Sequence, residues 1–195
     1  MSNPCIHSWD CEWQSPKDVD EALSLSIHNA MEWVLCHKMR LIMRPKSINV
    51  VFREIPDEYR SADSDILTKV YGMARSGHVP QEGMSPAEVE IHININQTAE
   101  QGCHTLFHEM VHAKQMFEKR LSYSTIGDGI EGQLHMWMGR AFSTRLMPYE
   151  EWPWEVEAEK IAREWRKEYL EYAAQAAQNA ADKAKRELEE NEEVA

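Results

Sequence analysis

The chain has 195 residues, enough for one domain with a proper core, and its 43% hydrophobic and 28% charged content is ordinary for a globular protein. Its formal net charge of −12 argues against a nucleic-acid partner, since phosphate binding needs a basic surface. No apolar run approaches the roughly 18 residues that cross a bilayer, and Met1-Ser-Asn-Pro-Cys-Ile-His has neither the basic nor the apolar segment of a secretory signal; a cytoplasmic protein without a membrane role is expected.

The four cysteines include no Cys-x-x-Cys pair, so reduced thiols are the expectation. Cys5, His7 and Cys11 could form part of a second metal site, but their spacing fits no standard finger and a fourth ligand is not evident. Ser15-Pro16-Lys-Asp18 reads as a helix start, with Val19, Leu23, Ala30, Met31 and Val34 continuing at helical spacing to about Leu41. Residues 47–55 and 70–74 read as strands, and Gly77 to Pro86 as a loop.

Val89-Glu-Ile91-His-Ile93-Asn-Ile95-Asn96 alternates strictly, placing four aliphatics on one face and Glu90, His92, Asn94 and Asn96 on the other, the pattern of a half-buried strand. Such a strand could offer its free edge to an extended peptide, which would add as one more strand. Thr98 followed by Gln101 is a capping-box helix start. Leu106, Phe107, Met110, Val111 and Phe117 then form an apolar stripe at spacings of three and four. Gln133 to Phe142 fits a strand or a short helix, and Met136, Trp137 and Met138 read as core or cleft wall. Pro153 opens a long helix with Trp154, Ala158, Ile161, Ala162, Trp165 and Tyr169 as its apolar face. From about Tyr172 the chain holds strong helix formers without large apolar side chains, and Glu187 to Glu193 carries five acids. This divides the chain into a main domain, 1–172, and an Ala/Glu-rich helical extension or mobile acidic tail, 173–195. Solubility is its default role; self-inhibition or contact with a partner is the alternative.

The chemistry concentrates in His108-Glu109-Met-Val-His112. Residues four apart on a helix share a face at about 6 Å along the axis, so His108 and His112 can chelate one tetrahedral zinc. Glu109 lies about 100° round from His108, placed to act on water at that ion rather than to complete the ligand set. With 9 His and 25 Glu in the chain, this spacing would arise in about one shuffled sequence in twenty, so context has to support it. A third ligand is available in the Pro153 helix, where spacing alone does not choose Glu155 over Glu157. His104 shares the histidine face but sits about 12 Å from His112 along the axis, which suits a hydrogen-bonding or cleft-lining role.

His108-Glu109-x-x-His112 followed 43 residues later by Glu155-x-x-Ala158-Glu159 resembles the gluzincin pattern of zinc peptidases. The strand before the first helix and the short gap are most similar to minigluzincins and to small metallopeptidases of bacteriophages and bacteria. Trp137-Met-Gly139-Arg140 and Pro153-Trp154-Glu155-Val-Glu157-Ala158 are similar to segments of the latter. The resemblance covers roughly residues 47–165 and is specific at the two helices. It implies a zincin-like α+β single domain, with a small sheet of about three strands packed on an N-terminal helix, the zinc-binding helix and a long C-terminal helix. It also implies Zn2+ held by His108, His112 and Glu155, with Glu159 supporting a histidine. Glu159 stands where the pattern usually has Asp or Asn, a departure that bears on the supporting role.

The activity so implied is hydrolysis of a peptide or protein substrate, with Glu109 as the base and Tyr149, ahead of His135 and His92, as the candidate oxyanion donor. Neutral imidazoles are required, so metal loss is expected as pH falls through roughly 6.5 to 5. Two alternatives stand beside this: a catalytically silent, metal-stabilised binding or regulatory protein, and a SprT-like protease acting on DNA-associated proteins, against which the acidic charge weighs.

Overall fold

Alternating aliphatic residues build the centre of the larger of two sheets. The computed structural model describes residues 9–14, 19–39, 46–55, 72–76, 86, 88–125, 133–142 and 147–194. In chain order these form β1 (Trp9–Gln14), α1 (Glu21–His37), β2 (Lys46–Arg53), β3 (Gly72–Ser76), β4 (Glu88–Asn94), α2 (Ala99–Phe117), β5 (Leu121–Thr125), β6 (Gln133–Trp137), β7 (Arg140–Phe142), a 3-10 turn (Tyr149–Glu151) and α3 (Pro153–Val194). The class is α+β. Among the described residues no helix is long and apolar enough to cross a membrane.

In place of the expected small sheet of about three strands, the described residues form two sheets: four strands in the order β1-β2-β4-β3, and a separate β5-β6-β7. β1, β2 and β4 run parallel, with Ile48 beside Val89, Val50 beside Ile91 and Phe52 beside Ile93. All six are buried, so one face of the sheet is a continuous apolar surface. β3 pairs antiparallel with the other side of β4. The outer strands are therefore β1 and β3 and not β4, which lies between β2 and β3. β1 is an addition to the expected elements. Trp9, Cys11 and Trp13 alternate with Asp10, Glu12 and Gln14, a strand signal that an interest in Cys5, His7 and Cys11 as ligands looks past. Cys5 and His7 lie outside the described residues, as do residues 77–85 of the expected loop.

α1 starts at Glu21, where Asp20 caps it, its carboxylate accepting the N–H of Leu23; the expected start at Ser15-Pro16 lies outside the described residues. The capping box of α2 is present in both directions, Thr98 Oγ accepting from Gln101 N–H and Gln101 accepting from Thr98 N–H. Leu106, Phe107, Met110, Val111 and Phe117 are buried as their spacing requires. Trp33 of α1, Phe107 of α2 and Tyr169 of α3 meet edge to face, with ring centroids 5.6–6.1 Å apart, and tie the three helices together. Gly102 lets α1 approach closely, since a Cβ there would stand 2.3 Å from Leu23 Cδ1.

Gln133 to Phe142 resolves into the hairpin β6–β7, turning on Met138 (φ 52°) and Gly139 (φ 77°), the two positive φ angles that a two-residue primed turn needs. Met138 is thus an exposed turn residue, not part of the core. α3 runs unbroken to Val194, and side chains from Ala174 to Glu189 are exposed. Lys183–Glu187 and Lys185–Glu189 pair one turn apart along it, which supports a solvated helix.

Candidate metal centre

Among the described residues six polar ones are nearly or fully buried, and four of them lie on α2: Thr105, Glu109, His112 and Gln115. Buried polar groups are costly unless partnered, so their concentration on one helix singles it out as the candidate site. α2 lies between the sheet and α3, and the first turn of α3 brings Glu155 across to the histidines.

His108 Nε2 is 3.0 Å from His112 Nε2 and 3.0 Å from Glu155 Oε2, and His112 Nε2 is 3.2 Å from the same oxygen. A tetrahedral ion with bonds of about 2.0–2.1 Å spaces its ligands by roughly 3.3 Å, so this triangle has the right size. Two imidazole nitrogens and one carboxylate oxygen suit a divalent first-row metal. Among the described residues this is the one cluster of His, Cys, Asp or Glu able to share an ion. Glu157, which spacing leaves level with Glu155, faces elsewhere: Arg120 Nη1 donates to both its oxygens, at 2.8 and 2.7 Å. Two residues along a helix is about 200° of rotation, so the two carboxylates cannot share a target.

The electrostatics of the cluster are strongly coupled. Burial opposes charge on His112, yet the Glu155 carboxylate against it, with Glu109 and Gln115 nearby, pushes the imidazole up to about 9. Burial likewise opposes charge on Glu155, but His112, His108 and the Tyr149 hydroxyl hold its carboxyl far below the usual range. Each of the two groups thus favours the charged form of the other, the carboxylate of Glu155 and the imidazolium of His112. Glu109 behaves in the opposite sense. Burial raises its carboxyl above the ordinary value, against the pull of His112 and His108 and of the Ala74 N–H that donates to it.

The remaining expected residues are placed as follows. The Tyr149 hydroxyl donates to Glu155 Oε2 at 2.6 Å, so it reaches the cluster through the carboxylate. Arg163 donates to Glu159 Oε1 at 2.6 Å, and Glu159 Oε2 lies 3.2 Å from His104 Nε2 and 3.6 Å from His108 Nδ1. At 3.6 Å the contact with His108 is an ion-pair distance and not a hydrogen bond. His135 stacks parallel on Trp154 with centroids 4.9 Å apart, and burial lowers its basicity against the pull of Glu155. His92 is buried on β4 and pairs with Glu90.

Three residues absent from the expected set belong to the site. Gly72 and Ala74 of β3 pass directly over Glu109, and Gln115 contacts His112. A glycine beginning a short strand and a glutamine on an amphipathic helix carry no signal of their own. Only the β3–α2 and α2–α3 packing reveals them. No family model, curated protein or solved structure matches the chain.

Proposed function

We propose that the chain is a zinc-dependent metalloendopeptidase with a zincin-like, gluzincin-type arrangement. The observation that carries this reading is the convergence of His108 Nε2, His112 Nε2 and Glu155 Oε2 within 3.0–3.2 Å, with Glu109 buried one residue from the first ligand. Zinc held there supplies the Lewis acidity that brings the pKa of a water molecule near 7 and polarises a substrate carbonyl. Three protein ligands leave a fourth position open, the arrangement of catalytic rather than structural zinc sites.

Glu109 accepts the proton of the attacking water and delivers it to the leaving amine. Its raised carboxyl pKa brings it toward the working pH, which favours both halves of that transfer. Tyr149 supplies the hydroxyl closest to the ligands and is the donor we assign to the developing oxyanion. β3 supports an extended substrate: it is an outer strand and its Ala74 N–H already reaches Glu109, so a peptide added along it runs past the base. The presence of the buried base favours this reading over a silent metal-stabilised protein, which has no use for Glu109.

Purified protein should contain one zinc per chain and cleave an unstructured protein such as casein. Chelation should abolish cleavage and added zinc restore it. Cleavage that survives complete zinc removal would overturn the proposal.

A further inference from the structure

Gln115 is fully buried, three residues beyond His112 on α2. Its side chain bridges two helices. Oε1 lies 2.9 Å from His112 Nδ1, while Nε2 donates to the Trp154 carbonyl at 3.1 Å and to Glu157 Oε2 at 3.3 Å. The amide orientation follows from its partners. Trp154 O and Glu157 Oε2 are both acceptors, so the amide end that faces them must be the NH2. The carbonyl end then faces His112, and Nδ1 must carry the hydrogen. A neutral imidazole with its proton on Nδ1 has its lone pair on Nε2, the atom that faces His108 and Glu155.

We infer that Gln115 is the positioning residue of this centre, fixing the tautomer and ring orientation of His112 and linking that ligand to the start of the helix that carries Glu155. The inference rests on the metal-site reading above and deepens it. Expectation from the sequence assigns histidine support to Glu159, whose hydrogen bonds go to Arg163 and His104, with His108 Nδ1 at 3.6 Å. The support for His112 comes instead from its own helix. Behind Gln115 stands Glu157, held by Arg120, whose guanidinium lies 5.3 Å from the ring centre of Trp137. This outer part anchors the network without touching His112. The Trp154 carbonyl is one residue from Glu155, so a single amide references both ligands to each other. Partners of metal-bound histidines set affinity through such orientation, and losing one typically costs ten- to a hundredfold.

The test is zinc affinity of the metal-free full chain, measured by competition with a chromophoric chelator. Gln115→Met keeps the length of the side chain and removes the acceptor, and should weaken zinc binding about ten- to a hundredfold. Glu157→Gln cuts the link to Arg120 but leaves Gln115 on His112, and should change affinity by less than about fivefold, the scale of a partly exposed ion pair. Equal losses in the two variants would show that Gln115 only ties the helices, and would overturn the inference. So would Gln115→Met binding zinc as tightly as wild type. Should Gln115→Met fail to fold, nitrogen-15 correlation spectra of the zinc-loaded wild type decide. A protonated Nδ1 on His112 supports the inference, and a metal on Nδ1 overturns it. Wild-type protein that binds no zinc would sink the metal-site reading itself, a failure separate from that of Gln115 alone.

Discussion

Gly72 of β3 stands against Glu109 of α2 with no room for a side chain. A Cβ at position 72 would lie 3.0 Å from both Cγ and Oε1 of Glu109, and 2.3 Å from Thr105 Cγ2. The edge strand and the candidate base are therefore in backbone-to-side-chain contact, and the glycine is there because nothing larger fits. Gly72→Ala is predicted to destabilise the protein by about 1–3 kcal/mol through overpacking. Thr105→Ser in the same chain removes the methyl that meets the new Cβ and should recover part of that loss. Urea unfolding of the two variants checks this, and an unchanged midpoint in Gly72→Ala would contradict the packing described.

Glu109→Gln is predicted to keep zinc at one per chain while reducing hydrolysis of an unstructured protein by a hundredfold or more, about the contribution of a general base. The substitution preserves shape and leaves the ligands in place. Full activity in this variant would remove Glu109 from the mechanism.

Glu155→Ala is predicted to weaken zinc binding much more than Glu157→Ala. Glu155 Oε2 touches both imidazoles, whereas Glu157 pairs with Arg120. The opposite ranking, read by chelator competition, would place the third ligand two residues further along α3.

The helices and the faces their side chains share were legible in the sequence because they repeat. A capping box, an apolar stripe and histidines one turn apart each restate the 3.6-residue period, and the period fixes which side chains converge. The choice of Glu155 over Glu157 was not legible from spacing, because it depends on the angle at which α3 meets α2. Gly72 and Gln115 were hidden for a related reason. Their roles arise from contacts between elements, and neither residue type is unusual where it stands. The second sheet was equally obscure, since β5 and β7 have five and three residues and become strands only by pairing with β6.

Cys103 gives a pH-dependent check on the α1–α2 contact. Its thiol donates to the Ser26 carbonyl, and burial, only partly offset by Arg166, pushes its pKa up to about 11. The thiolate is the reactive form, so at pH 8 Cys103 in the folded protein should be alkylated about a hundredfold more slowly than in the unfolded chain. Its rate should keep rising between pH 9 and 10, where an ordinary thiol levels off. Peptide-resolved iodoacetamide labelling measures this, and a plateau near pH 9 would contradict the burial.

The central claim is that one zinc ion is shared by two turns of α2 and the first turn of α3. Anomalous diffraction at the zinc edge, on crystals of the purified chain, tests it most directly. A single peak within bonding distance of His108 Nε2, His112 Nε2 and a Glu155 oxygen is the predicted result, at about 2.0–2.2 Å from each. A peak bound elsewhere, or three side chains that turn away from any common centre in zinc-saturated crystals, would contradict it.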